Sequence, residues 1–321
     1  MHTPEDIDTL VRFWGENSGW GPIERSLWEH RFLHTPLGPA SIALAVEDTT
    51  GEIIGQFGFI PSLVSVDGVN VRAYRPVATI VREDIRNTEG FGILQQVIYQ
   101  LYMHASGILS EQGVGLIHLV PDPRWLRIFQ MLPFFKSITL PLYTLPLPLT
   151  QPFELPDGIA IVPLDYADPR IDTLWEKAKH LYRSIVVRNT VALSWKNSHA
   201  AFQLFGLVQE DRLIGLFSYI LRPKENKWQL CDVLSENAEA ALELTLQAAC
   251  NEAQVYIGDP VHKNEGIDHI AALATPLLQE KLSQLGFEKI NYGVSLVIHV
   301  LDESLNAEAV APEQWYLTPN E

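Results

Sequence analysis

Cysteine is nearly absent: Cys231 and Cys250 are the only two in 321 residues. No pair has the spacing of a zinc site, and two such residues are more often buried small apolar side chains than a disulfide or a nucleophile. Positive charge is also scarce, with 23 Lys and Arg against 39 Asp and Glu and a net charge of −16. That balance argues against nucleic acid or anionic membrane as a partner, because neutralising phosphates takes clustered basic residues. No apolar stretch approaches the ~20 residues needed to span a bilayer. Neither Gly206-Leu207-Val208 nor Gly293-Val294-Ser295 makes a Gly-x-Ser-x-Gly nucleophile elbow, and there is no phosphate-loop lysine motif. Met1-His2-Thr3-Pro4-Glu5-Asp6 lacks the basic and apolar regions of a signal peptide. A cytoplasmic location is expected.

What is present is a repeat. Residues 52–60 read Glu-Ile-Ile-Gly-Gln-Phe-Gly-Phe-Ile, and residues 212–220 read Arg-Leu-Ile-Gly-Leu-Phe-Ser-Tyr-Ile. Each follows an apolar segment ending in acids, Glu47-Asp48 and Glu210-Asp211, and each is echoed downstream, at Phe135-Lys136-Ser137-Ile138 and Phe287-Glu288-Lys289-Ile290. An ordered repeat of this length implies two copies of one domain. At 47% apolar and 19% charged residues, each copy has enough material for its own core. Five prolines between Pro141 and Pro156 suit an extended connector. The expected domains are therefore 1–150 and 151–321, the second ending in an acidic surface tail at 302–321.

The pattern along each copy is mixed α/β. A helical region with Trp14, Trp20 and Trp28 precedes strands at 41–47 and 52–60, and Asp67-Gly68 signals a hairpin of 61–66 with 69–75. A further extended run at 77–81 leads to Gly90-Phe91-Gly92. Apolar residues from Phe91 to Ile108 then recur at three- and four-residue steps, predicting an amphipathic helix. A short strand at 116–120 and a helix at 124–131 follow. The second copy repeats strands at 202–209, 212–222 and 228–233, helices at 238–253 and 273–285, and a strand run at 288–300. The expected fold class is α/β (α+β), a mixed central sheet covered by helices in each copy.

The strongest chemical candidate is the turn Asn87-Thr88-Glu89-Gly90-Phe91-Gly92. Glycines between a strand and a helix let the backbone approach a ligand, and free helix N–H groups with the helix dipole suit a pyrophosphate. Such a motif alone is more often a tight turn without a ligand. The order helix, two strands, Asp-Gly hairpin, strand, glycine turn, helix, short strand, helix, Phe resembles the GNAT-type N-acetyltransferases. Their Arg/Gln-x-x-Gly-x-Gly/Ala turn holds the pyrophosphate of acetyl-CoA; Asn87 falls at its first position and Gly90 and Gly92 at its glycines. Ile128 to Phe134 is similar to the family's Leu-Tyr-x-x-Leu-Gly-Phe segment. The resemblance covers about residues 25–140 and again 195–300, and implies tandem GNAT-like domains.

Under that resemblance the expected cofactor-binding residues are Ile80, Val81, Arg82, Asn87, Thr88, Glu89, Gly90, Phe91 and Gly92, with acetyl-CoA or another acyl-CoA as co-substrate and no metal. The chain departs from the pattern at Asn87, at Glu89, whose carboxylate would face the pyrophosphate, and at Phe129, where the family often has a proton-donating tyrosine. In the second copy, Ser235-Glu236-Asn237-Ala238-Glu239 lacks glycine and carries two acids, and Leu282 stands at the tyrosine position. Cofactor binding is therefore expected from the first copy only.

His118, on the short strand, and Asp122 are the candidate catalytic groups, since a neutral His there could take a proton from an ammonium. A packed sheet histidine is the plainer reading. Glu83 and Asp84 could bind an amine or be ordinary loop acids, and His30 and His34 lack a third metal ligand of matching spacing. One functional reading is N-acyl transfer to a small-molecule or peptide amine by a monomer or weak dimer. The other is a non-catalytic binding protein on a degenerate scaffold. Transfer from a tRNA carrier is a third, opposed by the acidic charge.

Overall fold

The computed structural model describes residues 4–86, 91–130, 132–198, 202–236, 239–262 and 265–319. At the centre of the first hairpin, Asp67 and Gly68 take φ values of 46° and 82°. Two positive values in a two-residue loop are those of a type I′ turn, whose twist matches that of the strands it joins. The strands are longer than the sequence pattern suggests. One runs unbroken through Pro61, past Phe59, the last residue of that strand paired with Ser41–Val46, where a missing N–H costs no bond on that side.

The chain packs as two units that interleave in sequence. The first comprises Met1–Leu63, Val71–Lys136 and Val297–Leu305; the second comprises Val64–Asn70, Ser137–Leu296 and Asn306–Glu321. A boundary near residue 150 stays a proposal about the repeat, because the packing units are not contiguous halves.

The first unit holds α1 (Pro4–Asn17), α2 (Arg25–Phe32), β1 (Ser41–Val46), β2 (Ile53–Val66, up to Leu63), β3 (Val69–Val81, from Val71 onward), α3 (Glu83–Arg86), α4 (Phe91–Glu111), β4 (Leu116–Leu119) and α5 (Pro123–Gln130). β1 runs antiparallel to β2, β2 neighbours β3, β3 is parallel to β4, and β4 pairs antiparallel with residues 297–300 from the far end of the chain. Ile98, Leu101, Tyr102, Ala105 and Leu109 form the buried stripe of α4 and pack with Phe57, Phe59, Tyr74 and Ile117. Their spacing is that of one helix face, and each fully buried large side chain contributes about 1.5–3 kcal/mol. Trp28 and Phe32 of α2, with ring centroids 5.0 Å apart, are fully buried, as is most of Trp14; Trp20 is exposed.

The second unit holds β5 (Phe135–Pro146, from Ser137 onward), β6 (Ile159–Pro163), α6 (Arg170–Ala178), β7 (Ser184–Val186), α7 (Thr190–Asn197), β8 (Gln203–Gln209), β9 (Arg212–Arg222), β10 (Lys227–Ser235), α8 (Ala240–Gly258), β11 (His269–Leu273), α9 (Pro276–Gln284), β12 (Glu288–Val300, up to Leu296) and β13 (Trp315–Tyr316). Its strand order β6-β8-β9-β10-β11-β5 joins antiparallel neighbours, except for the parallel pair β10–β11. β6, β7, α7, β11 and β13 are absent from the sequence reading, being short and weakly periodic; the helix expected from Leu273 begins at Pro276, after β11.

The repeated Ile-Gly now has a physical cause. A Cβ on Gly55 would lie 2.8 Å from a Val97 methyl of α4, and one on Gly215 would collide with the Thr245 hydroxyl of α8. Each glycine lets a helix cross its strand at backbone contact.

The expected surface tail is corrected. Ala309, Val310, Trp315, Tyr316, Leu317 and Thr318 are buried in the second unit, and β13 pairs with β7. Acids dominate the composition of 302–321, but its few large apolar side chains decide where it goes.

Candidate active site

The first unit opens where a pair of parallel strands parts. Among the described residues β3 pairs with β4 only at Ala73 with Leu116 and Tyr74 with Ile117. β3 nevertheless continues to Val81 and β4 to Leu119. Within β3, Ala78 has φ 53°, a left-handed conformation that costs a residue with a Cβ roughly 1–2 kcal/mol. Counting from the turn to the bond from Arg82 N–H to the Ile54 carbonyl, β3 holds one residue more than β2. That extra residue is a β-bulge, which bends and twists the strand that carries it.

Ile80 and Val81 are buried at the end of this strand. Arg82 turns its guanidinium into a carboxylate cluster: a two-pronged pair with Asp84 at 2.8 and 3.0 Å, then Glu52 at 3.4 Å and Glu47 at 3.6 Å. The hydrogen bond to Arg82 holds the Asp84 carboxyl below its ordinary range. Asn17, buried at the end of α1, accepts the Glu83 N–H on its Oδ1 at 3.1 Å. A cleft of about 500 Å³ opens beside these groups, lined by Arg12, Phe13, Glu16, Asn17, Glu52 and Arg82.

Asn87, Thr88, Glu89 and Gly90 lie outside the described residues. Phe91 and Gly92 are the first two residues of α4, and their side-chain surroundings are not described. His118 is buried on β4, its Nε2 3.3 Å from the Ser62 hydroxyl. Asp122 is exposed ahead of α5, its carbonyl accepting the Leu126 N–H. Phe129 is buried edge-on to Tyr102, with centroids 6.2 Å apart, and the Tyr102 hydroxyl is 2.8 Å from His299 Nδ1. Burial depresses the His299 imidazole to about 4 and raises the Tyr102 phenol well above its ordinary value.

Sequence reasoning missed Asn17, Glu47, Glu52 and Gln56. Gln56 is fully buried, and both ends of its amide lack a hydrogen-bond partner among the described residues. Its signal was a lone amide inside Ile-Ile-Gly-Gln-Phe. The other three gave none, since acids and Asn at loop and helix ends are common.

In the second unit the matching helix start is acidic. Glu236 pairs with Lys177 at 3.0 Å and Arg212 at 3.2 Å. A groove of about 500 Å³ at the starts of α8 and α9 is lined by Glu239, Glu243, Glu280 and Lys281. Leu282 is buried. Cys231 and Cys250 are buried free thiols, both pushed upward in pKa by burial. Among the described residues no group of three or more His, Cys, Asp and Glu could hold a metal ion, and no helix is long and apolar enough to cross a membrane.

No family model and no curated protein matches the chain by sequence. Solved structures do match by shape. A GCN5-related N-acetyltransferase from Anabaena variabilis superposes with a TM-score of 0.68 at 11% identity, over 93% of this chain and 71% of that one. The GNAT fold is shown. A GCN5-related N-acetyltransferase from Kribbella flavida (TM-score 0.65, 14% identity, 94% and 70% covered) and Eis1 from Mycobacterium abscessus (0.59, 13%, 94% and 73%) share it. A GNAT fold extending over nearly the whole chain agrees with the strand–helix–strand–helix order found twice within it.

Proposed function

We propose that the chain is an acyl-CoA-dependent N-acyltransferase whose cofactor is held by the first copy alone. The observation that carries this reading is the parting of β3 from β4 immediately before α4. Past Arg75, the β4-facing edge of β3 has no strand partner among the described residues. The two amides of a pantetheine arm can bond to such an edge as an added strand would. The arm's pyrophosphate would then meet the turn of Asn87, Thr88, Glu89, Gly90, Phe91 and Gly92 and the start of α4.

The thioester carbonyl would lie along Ile80, Val81 and Arg82, with the acceptor amine entering from the α1 cleft. The neutral amine nitrogen attacks the carbonyl carbon, the carbon–sulfur bond breaks, an amide forms, and the thiolate leaves with CoA and takes up a proton. His118 and Asp122 are the proposed groups for removing the ammonium proton. Most of the acceleration comes from positioning two substrates, so Phe129 in place of a tyrosine weakens the reaction without abolishing it. The carboxylates at the start of α8 repel phosphate and support assigning no cofactor to the second copy. A small-molecule or peptide amine acceptor, no nucleic acid, and a monomer or weak dimer complete the proposal.

CoA or acetyl-CoA at one hundred times its Kd adds about 2.7 kcal/mol to the stability of the folded state. A rise in melting temperature with acetyl-CoA, and release of free thiol with a panel of primary amines, are the expected results. No shift at millimolar CoA sinks the reading. Phe129 and the acidic second copy favour one rival, a non-catalytic protein on the same scaffold; CoA binding without transfer to any amine is its signature.

A further inference from the structure

We infer that the acceptor is an amine carrying its own carboxylate, an amino acid, held in the α1 cleft by Arg12 and Glu16; this rests on the acyl-CoA reading above and narrows it. The cleft of about 500 Å³ lies within the first unit. One wall is α1, through Arg12, Phe13 and Glu16, and the other includes Glu52 and Arg82. Each wall carries a guanidinium and a carboxylate, but the two walls are not equivalent.

Arg82 is already answered. The carboxylates of Asp84, Glu52 and Glu47 lie 2.8, 3.4 and 3.6 Å from its guanidinium nitrogens. One positive charge against three negative ones leaves that wall negative, so it attracts a cation and offers nothing to an anion.

On α1 the opposite holds. Arg12 and Glu16 are exposed, and among the described residues neither side chain makes an ion pair or a hydrogen bond. They stand four residues apart, about 6 Å along the helix axis, and do not pair with each other. Arg ahead of Glu is the weaker order for such a pair, because the helix dipole opposes it. Glu16 is also poorly placed for stability. It is the last residue but one of α1, at the negative end of the helix, and no basic residue in the last turn offsets it. A carboxylate there destabilises the free protein and becomes favourable when a cation arrives.

The chemistry that satisfies both groups is zwitterionic. An ammonium beside Glu16 meets a carboxylate, the negative end of α1 and the excess negative charge around Arg82. A carboxylate on the same carbon meets Arg12, the guanidinium of this cleft that no described acid holds, and can take it with two prongs. A plain alkylamine would use Glu16 alone and leave Arg12 as a like charge near its ammonium. Acylation removes the ammonium charge, so the product keeps the Arg12 contact and loses the one to Glu16.

The test is thiol release from acetyl-CoA by the full chain with a panel of amino acids, each beside its own carboxamide. The best amino acid is expected to have a KM about tenfold below that of its carboxamide, the size of one charge-assisted hydrogen bond. Arg12→Gln is expected to raise KM for the acid to near that of the carboxamide, whose own KM moves much less. Glu16→Gln weakens acid and carboxamide alike, because both carry the ammonium, and raises the melting temperature of the free protein by removing a carboxylate from the helix C-terminus. Both side chains are exposed, so neither substitution opens the core. Acids and carboxamides used at equal KM overturn the assignment, as does an Arg12→Gln chain that keeps the parent's ratio; acyl transfer itself survives both results. No thiol release with any member of the panel overturns the acyl-transfer reading and the assignment together.

Discussion

Gly55 and Gly215 do the same work in the two copies of the repeat. At Gly55 an added Cβ meets a Val97 methyl at 2.8 Å and a Leu101 methyl at 3.2 Å, both at the ends of side chains. At Gly215 it collides with Thr245 Oγ1, which already donates to the Ala241 carbonyl, and it also comes within 3.4 Å of the Leu234 carbonyl oxygen. Gly215→Ala is therefore expected to destabilise by about 1–3 kcal/mol and Gly55→Ala by less, because Val97 can rotate and Thr245 cannot without losing its bond. Urea denaturation of the two variants reads the difference. A larger loss for Gly55→Ala contradicts the packing argument.

Ala78 holds a positive φ in a strand that otherwise runs extended. Glycine adopts that conformation without strain but adds freedom to the unfolded chain, so Ala78→Gly is expected to be near neutral or slightly stabilising. Ala78→Val places a β-branched side chain in the same conformation and is expected to cost about 1–3 kcal/mol. Thermal denaturation orders the three, and a valine tolerated better than glycine removes the bulge from the account.

His299 titrates at about 4 in the folded chain because its ring is removed from water. In the unfolded chain it titrates near 6.5, so between those values the unfolded state binds a proton that the folded state refuses. Stability is expected to fall as pH drops through that window, by about 1–3 kcal/mol, and to be unaffected by this group above it. His299→Gln should flatten the slope of stability against pH between 6.5 and 4. An unchanged slope assigns the effect elsewhere.

Arg188 and Asp232 are an ion pair buried in the second unit, 3.0 Å apart, with Thr318 Oγ1 bonded to both. Arg188→Met leaves a buried carboxylate without its cation and is expected to cost about 3–5 kcal/mol. Replacing both partners, Arg188→Met with Asp232→Leu, should recover much of that loss, since the pair's net worth over an apolar core is small. Equal losses in the single and double variants would show that the packing, not the stranded charge, sets the cost.

Much of the secondary structure was legible because the local pattern and the packing agree. The apolar steps from Ile98 to Leu109 are one helix face, and Asp67-Gly68 is a turn in any context that continues both strands. The candidate site was legible only as far as the glycine turn and the strand before it. Asn17 and Glu83 gave no sign of each other, because a bond across 66 residues leaves no periodicity.

The amino-acid sequence by itself determined the repeated Ile-Gly segment in each half, the long strands and the amphipathic helices, since these follow from local spacing and side-chain size. Only the tertiary structure decided how the copies are completed. Residues 297–300 pair with β4, Trp315 to Thr318 are buried, and Arg82 is gripped by three carboxylates. Each of these depends on which distant backbone edge or charge a segment meets after folding. That is a property of contacts between residues far apart in the chain, and no local pattern encodes it.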